Sequence, residues 1–194
     1  MGKITRDSLM TLEAYSKARS DFRIRIMAHK KNRTVHLGDH ITLILEDELT
    51  MRYQVQEMLR AEKIFDEASI QEEIDAYNPL IPDGSNWKAT MMIEYEDLDE
   101  RKVMLGKLIG VEEKVWVQVG DFEKVYPIAD EDLQRETEVK TSAVHFLRFE
   151  LSNEMIRALK GGAVLIMGVN HSAYQVVTPV KPEIQSSLLQ DLAA

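Results

Sequence analysis

Histidines and the acids near them are the residues of this chain best suited to chemistry. The segment 33–48, RTVHLGDHITLILEDE, holds His36 and His40 together with four acids. Neutral imidazole is the commonest metal ligand in proteins, and carboxylates join it around divalent ions. However, Gly38-Asp39 predicts a turn between the two histidines, so their spacing is not a ligand motif on one element. A divalent metal is therefore an alternative left open, and no cofactor is assured.

The histidines that could act as metal ligands are spread along the chain. His145 alternates with apolar residues in 143–151, AVHFLRFEL, which is typical of a buried histidine with a hydrogen-bond partner. The acids at 46–48 stand where a helix is predicted to begin, and the helix dipole favours acids there without any function. No H-E-x-x-H motif occurs. The candidate liganding set, which only the folded chain could assemble, is His36, His40, His145 and His171.

A polar helix face is one candidate surface for a ligand or a partner. Arg52, Gln56 and Arg60 recur at intervals of four residues, so they line one side of the predicted helix. Tyr53 and Glu57 stand beside them. Two arginines and a tyrosine can bind a carboxylate or a partner protein. The alternative is a solvated face whose ion pairs contribute only about 0.2–0.5 kcal/mol each.

The loop 78–88, NPLIPDGSNWK, is the second candidate surface. Its prolines, glycine and turn-forming polar residues predict a rigid loop, and such loops often carry function. The alternative is that the loop only closes the sheet and that its tryptophan fills the core. The candidate binding residues here are Asn78, Asp83, Ser85, Asn86, Trp87 and Lys88.

The sequence also excludes several kinds of chemistry. The chain has no cysteine, so it has no disulfide, no thiolate nucleophile and no Cys-ligated zinc or iron–sulfur cluster of its own. It contains no G-x-G-x-x-G, Walker A or G-x-S-x-G motif. Ser172 follows His171, but adjacency in sequence does not make a nucleophile. Any redox work must therefore use a centre that another molecule carries.

The charge of the chain limits its partners. Its 33 acids and 24 bases give a net charge of −9, which argues against nonspecific binding to nucleic acid or to an anionic membrane. The longest apolar run, 163–167, is too short to span a bilayer, and residues 1–10 lack the apolar core of a signal peptide. We therefore expect a cytoplasmic protein. Bases concentrate near the N-terminus, at Arg19, Arg23, Arg25, Lys30, Lys31 and Arg33.

The patterning predicts an α+β fold, a mostly antiparallel sheet of about six strands with helices packed on it. We expect one domain over residues 1–194, with a helical segment at 1–32, an α+β body at 33–182 and a tail or helix at 183–194. Asp7-Ser8 and Ser20-Asp21 are predicted caps in the first segment, and Ser69 is a third. Strands are expected at 40–45, 87–96, 143–151, 163–169 and 174–180, a hairpin at 114–129, and helices at 46–64, 97–110, 131–138 and 152–162.

Several segments together resemble one bacterial family. They are KITRDSLMTLEAY (3–15), AHKKNRTVHLGDHITLILEDELTMRYQVQEMLR (28–60), DAYNPLIPDGSNWKATMMIEY (75–95), KTSAVHFLRFEL (140–151) and MGVNHSAY (167–174). The family consists of uncharacterised proteins of roughly 200 residues with no assigned activity. Its members are often encoded beside rubrerythrin-like proteins and cysteine-rich iron–sulfur oxidoreductases. The resemblance therefore implies an accessory role in an electron-transfer or peroxide-defence system.

The sequence leaves three functions open. The first is an accessory protein that binds a redox protein, without nucleic acid or membrane, and that could form a homo-oligomer. The second is a metal-binding protein or metal-dependent enzyme that uses histidine and carboxylate ligands. The third is a sensor of small anions that uses the loop 78–88 and the face of Arg52 and Arg60.

Overall fold

The computed structural model describes residues 2–132, 135, 137 and 139–193, and these residues form helices and antiparallel strands. The strands are β1 (Thr34–Leu37), β2 (Ile41–Glu46), β3 (Asn86–Ile93), β4 (Val115–Val119), β5 (Ile128–Ala129), β6 (Val144–Glu150), β7 (Leu165–His171) and β8 (Tyr174–Pro179). The helices are α1 (Leu12–Lys31), α2 (Glu48–Ala61), α3 (Glu67–Tyr77), α4 (Leu98–Lys107), α5 (Asn153–Lys160) and α6 (Pro182–Leu188). The predicted α+β class is confirmed.

The strands divide between two sheets. One has five strands in the order β1-β2-β3-β6-β5, and the other has three in the order β4-β7-β8. Every pairing between neighbouring strands is antiparallel, as expected. One hydrophobic core takes side chains from both sheets, for example Leu43 and Phe149 from the first and Val117 and Met167 from the second. The prediction of one domain stays a prediction.

The two faces of the five-stranded sheet differ in chemistry. On β3, Trp87 and Met91 point into the shared core, whereas Lys88 lies on the opposite face. The register pairs Lys88 with Glu46 on β2 and with Arg148 on β6. A row of charged side chains therefore crosses the second face of this sheet.

The N-terminal segment contains one continuous helix, and the caps predicted there are wrong. The side chain of Thr11 caps α1 by accepting from the Ala14 N–H, while Asp7-Ser8 belongs to a short 3-10 turn. Ser20-Asp21 lies inside the helix, because residues on both sides of it continue the helical pattern. The helix α1 packs on α2, and Phe22 lies edge-on to Tyr53 at 5.7 Å between ring centroids.

Other local predictions had mixed outcomes. Asp47 caps α2 where acids were expected. The helix α3 begins earlier than predicted, because Asp66 accepts from the Ser69 N–H and is the cap in its place. Gly38 makes the predicted turn between β1 and β2 with a φ of +69°, and the hydroxyl of Tyr174 occupies the space that a side chain at this position would need.

The hairpin predicted at 114–129 is reduced to one bridge, between Val117 and Val125. The ladder partner of β4 is β7, and β5 pairs with β6 in the other sheet. Nearly all of β4 is buried, so a single neighbouring strand from a surface hairpin could not cover it. The predicted helix at 131–138 falls partly on residues outside the described ones. No helix within the described residues is long and apolar enough to cross a membrane.

Candidate functional site

A histidine and two carboxylates meet in a buried cluster, which we call the His145 cluster: Glu112, Asp130 and His145. Three separate elements supply them, since His145 lies on β6, Asp130 directly follows β5, and Glu112 lies in a 3-10 turn before β4. The His145 side chain is fully buried, and the side chain of Glu112 is 7% exposed. Each of the three offers one ligand atom, and these atoms lie within 4.8 Å of one another.

Hydrogen bonds hold both ring nitrogens of His145. Its Nδ1 lies 2.6 Å from Asp130 Oδ2, and its Nε2 lies 2.9 Å from the Thr141 hydroxyl and 3.0 Å from the Ser142 carbonyl. Because an ionised carboxylate only accepts, Nδ1 is assigned the proton in the neutral ring, and Nε2 can then accept from the Thr141 hydroxyl. In this tautomer the Ser142 carbonyl, which also only accepts, is a close neighbour of Nε2 and not its hydrogen-bond partner. Glu112 Oε2 lies 3.9 Å from the same nitrogen.

The backbone at Asp130 is held in an unusual conformation. Its φ is +49°, a region that a residue other than glycine rarely adopts. One carboxylate oxygen accepts from the Phe146 N–H at 2.9 Å and lies 3.2 Å from Arg135 Nε, while the other meets His145. Such strain persists only where the surroundings impose it, and it is common at functional sites. The fold thus aims the Asp130 carboxylate at the imidazole.

The other histidines of the candidate set lie apart from this cluster. His36 Nδ1 lies 3.0 Å from the Thr42 hydroxyl, and the ring of His40 stacks on Tyr95 at 4.0 Å. His171 Nε2 lies 3.0 Å from the Ile109 carbonyl. Within the described part of the chain, only His145 joins a group of side chains that could hold a metal.

The polar face of α2 is mostly occupied by contacts within the protein. Gln56 is buried, and its side chain accepts from the Met10 N–H at 2.6 Å. Arg52 Nε lies 3.3 Å from Glu48, one turn away, and Tyr53 packs on Phe22. These contacts tie α2 to the N-terminal segment.

Glu57 is the centre of the α1–α2 contact. Arg19 donates to both of its carboxylate oxygens at 2.7 Å, the Tyr15 hydroxyl donates at 2.7 Å, and Arg60 Nε donates at 3.4 Å. Hydrogen bonding by Arg19, helped by Tyr15 and Arg60 and opposed by burial, lowers the pKa of Glu57 to about 2. Burial and the neighbouring Glu57 raise the pKa of Tyr15. Arg60 therefore has an internal partner, like Arg52.

Most candidates in the loop 78–88 make structural contacts. The Asn78 amide bonds to both backbone groups of Ile4, and the Asp83 carboxylate accepts from the N–H and the hydroxyl of Ser85. Asn86 donates to Glu150 at 3.0 Å. A further contact reaches the C-terminal helix, where Trp87 is 1% exposed and its Nε1 donates to the Leu188 carbonyl at 3.0 Å.

Lys88 is the loop candidate that reaches a cavity. The cavity has a volume of about 470 Å³ and lies between α3 and the second face of the five-stranded sheet, with Pro79, Leu80 and Phe146 among its lining. Burial, together with the nearby charge of Arg148, lowers the pKa of Lys88. Glu131 and Arg148, which form an ion pair at 2.7 Å, complete a charged rim.

Sequence reasoning missed a buried ionic network that joins the end of α1 to the C-terminal region, which we call the Arg33 network: His29, Arg33, Asp47 and Asp191. Arg33 is 1% exposed; it donates to Asp191 and to the Leu45 and Glu46 carbonyls, the latter two at 2.6 and 3.1 Å. Its partners lie up to 158 residues away in sequence, and no local spacing could have revealed that.

The two carboxylates of the Arg33 network respond differently to their surroundings. Burial raises the pKa of Asp191 to about 6 even though Arg33 opposes this change. Burial would also raise the pKa of Asp47, but Arg33, the Thr50 N–H and His29 together hold it below its ordinary value. His29 Nε2 lies 2.6 Å from Asp47. Each charge in this network therefore has a partner of opposite sign or a hydrogen bond.

The outer side of α1 contrasts with these internal contacts. We call Arg23, Ile24, Met27 and Lys31 the α1 outer face, because all four are exposed and line one shallow groove. Ile24 is 67% exposed and Met27 is 42% exposed. No ion pair to Arg23 or Lys31 is formed within the described residues. The groove is thus lined by both apolar and basic side chains.

Together the fold and these sites define a small α+β protein with a buried histidine–carboxylate cluster and a basic exposed helix face. The chain belongs to the family described as protein of unknown function (DUF3501), whose model matches residues 3–192. It is also similar to the crystal structure of a novel protein of unknown function from Burkholderia pseudomallei, with 53% identity and a TM-score of 0.94. That similarity covers 99% of this chain and 100% of the other. No curated protein matches this chain.

Proposed function

We propose that this protein is a cytoplasmic accessory protein that binds the acidic surface of a redox protein through the α1 outer face. The observation that carries the proposal is the exposure of two large apolar side chains, Ile24 and Met27, between Arg23 and Lys31. Adjacent exposed apolar side chains with charges around them are a feature of interaction surfaces.

The charges of the α1 outer face favour an acidic partner. The chain carries a net charge of −9, so a basic face is a local exception to its overall field. Arg19 and Arg60, which line the same groove, are held by Glu57, and this leaves Arg23 and Lys31 as its outer cations. Complementary charge across an interface mainly speeds encounter and rejects partners of the wrong sign.

The composition of the chain and the resemblance stated above favour a redox protein as the partner. The chain has no cysteine, so it does not itself carry a thiol or a Cys-ligated iron–sulfur centre. Its resemblance to proteins encoded beside rubrerythrin-like proteins and iron–sulfur oxidoreductases suggests which molecules carry the centre. The helix α1 is held by buried contacts of Tyr15, Phe22 and Ile26, so its outer face is presented on a rigid support.

The test is an equilibrium binding measurement with the purified rubrerythrin-like protein and iron–sulfur oxidoreductase of the same bacterium. We expect micromolar or tighter binding to one of them that weakens as salt concentration rises, because the cations are exposed. The variant Arg23→Glu/Lys31→Glu should bind at least about tenfold more weakly, since like charges across an interface cost several kcal/mol.

A matched control variant distinguishes the effect of charge on the α1 outer face from the effect of net charge. Lys102→Glu/Lys160→Glu makes the same change in net charge on α4 and α5, at two exposed lysines, and should bind like the wild type. Equal weakening by both variants, or no binding of the wild-type protein to either redox protein, would contradict the proposal. So would a change of the free protein from dimer to monomer on Arg23→Glu/Lys31→Glu, because the face would then be a contact between two copies.

A further inference from the structure

We propose that the His145 cluster binds one divalent first-row transition metal ion, with His145 Nε2 and the Glu112 carboxylate as ligands and Asp130 as the group that orients the imidazole. This inference is independent of the α1 outer face. An imidazole nitrogen with oxygen donors is a mixed set that suits ions such as Zn²⁺, Fe²⁺ and Mn²⁺.

The orientation of His145 supports this assignment of roles. A metal-binding histidine almost always donates its other ring N–H to a carboxylate or carbonyl, which fixes the tautomer and raises the basicity of the free nitrogen. Asp130 accepts from Nδ1 at 2.6 Å, and the Phe146 N–H at 2.9 Å holds Asp130 in place. The strained backbone of Asp130 keeps this carboxylate aimed at the ring.

The distances around Nε2 are near those of a coordination sphere. Ligands bound at about 2.1 Å lie about 3.0–3.5 Å apart when the angles at the metal are between a right angle and a tetrahedral one. The Thr141 hydroxyl and the Ser142 carbonyl lie 2.9 and 3.0 Å from Nε2, and Glu112 Oε2 lies 3.9 Å from it. A shift of about half an ångström brings Glu112 Oε2 into this range of distances from Nε2.

The positive charge of Arg135 leads to a second prediction about metal affinity. Its Nε lies 3.2 Å from Asp130 Oδ1, and its guanidinium lies over the Phe146 ring at 4.6 Å. A cation this close to the cluster repels a dication, so removing its charge should strengthen metal binding. The side chain of Arg135 is 19% exposed and also contacts Asp132, so Arg135→Gln leaves little buried charge unpaired.

The test is calorimetric titration of chelator-treated, full-length protein with ZnCl₂ and with MnCl₂. We expect about one equivalent of one of these ions to bind with micromolar or tighter affinity. Glu112→Gln should abolish that binding, Asp130→Asn should weaken it about 10–100-fold because the orienting carboxylate is lost, and Arg135→Gln should tighten it. His36→Gln, at an exposed histidine outside the cluster, should bind like the wild type.

A second measurement keeps the test decisive if a cluster variant fails to fold. X-ray absorption of the metal-loaded wild-type protein should show one imidazole among nitrogen and oxygen ligands, and no sulfur. The proposal is overturned if neither ion binds at stoichiometry, or if a folded Glu112→Gln variant binds as well as the wild type. In either case His145 is a structural residue held by its hydrogen bonds to Asp130 and Thr141.

Discussion

Arg33 and the cations of the α1 outer face lie close in sequence, but their surroundings are opposite. Arg33 follows the end of α1 by two residues; it is 1% exposed and surrounded by two carboxylates and two carbonyl oxygens. Arg23 and Lys31 stand on α1 itself, where both are exposed beside exposed apolar side chains. The Arg33 network stabilises the fold, whereas the cations of the α1 outer face are accessible to a binding partner.

The reason for this difference is desolvation. A buried guanidinium is tolerated only when nearly all of its donors are satisfied, so its surroundings are fixed by the native fold. An exposed cation needs no partner, because water solvates it. A basic stretch of sequence therefore combines two roles, and only the structure separates Arg33 from Arg23 and Lys31.

The largest effect should come from breaking the Arg33 network. Arg33→Met leaves Asp191 buried and unpaired, and we expect the free energy of unfolding to fall by about 3–5 kcal/mol. The double variant Arg33→Met/Asp191→Leu should recover part of that loss, because it removes both charges. Urea denaturation at pH 7 measures each value.

Arg25→Met is the matched control, since Arg25 is an exposed arginine of α1. Its free energy of unfolding should stay within about 0.5 kcal/mol of the wild-type value. A loss for Arg33→Met no greater than that of this control would mean that the buried network does not stabilise the fold.

A smaller effect is expected at the inner side of α1. Glu57→Gln removes the charge that Arg19, Tyr15 and Arg60 share, and it should lower the free energy of unfolding by about 1–3 kcal/mol at neutral pH. Glu13→Gln is the comparison, because Glu13 pairs with Lys17 on the exposed surface of the same helix. That change should cost less than about 0.5 kcal/mol.

The pH dependence of the Glu57 effect has a defined sign. The pKa of Glu57 is about 2 in the folded protein, against an ordinary value of 4.5. A lowered pKa contributes stability that is complete above pH 4.5 and is lost as the pH falls toward 2. The difference in unfolding free energy between the wild type and Glu57→Gln should therefore shrink across that window. A difference that stays constant from pH 5 to pH 2 would contradict this role for Glu57.

The smallest effect on stability should be at the α1 outer face. Arg23→Glu/Lys31→Glu changes exposed side chains that have no ion pair within the described residues, so the midpoint of urea unfolding should stay near that of the wild type. A loss above about 1 kcal/mol would mean that these cations stabilise the fold, and the contrast with Arg33 would fail.

Much of the fold could be predicted from local patterns. A strand was expected at 87–96, where the structure has β3 (Asn86–Ile93), and acids were expected at the start of a helix, where Asp47 caps α2. The division into two sheets could not be predicted, because the pairing of β4 with β7 joins residues about fifty positions apart. Gly120-Asp121 does form the predicted turn, but β4 pairs with β7 and keeps only one bridge to the chain that follows the turn.

The sites were predicted less well than the fold. His145 was among the metal candidates, whereas Glu112 and Asp130 were not, because they reach it from different elements. The pattern of Arg52, Gln56 and Arg60 correctly showed a shared side of α2, but it could not show that Gln56 is buried against the N-terminal segment. The bases of the α1 outer face stood out in the sequence, but exposed apolar side chains such as Ile24 resemble core residues there, so their position beside Arg23 and Lys31 on the surface could not be predicted.

The absence of cysteine makes a direct test of the α1 outer face straightforward. A single Met27→Cys variant can carry one environment-sensitive fluorophore on this face, and Val103→Cys can carry it on an exposed position of α4. On addition of the redox partner, we predict a blue shift with saturation at position 27 and none at position 103. Saturable partner binding with no spectral change at position 27, or with an equal change at both positions, would contradict the assignment of the α1 outer face as the docking surface.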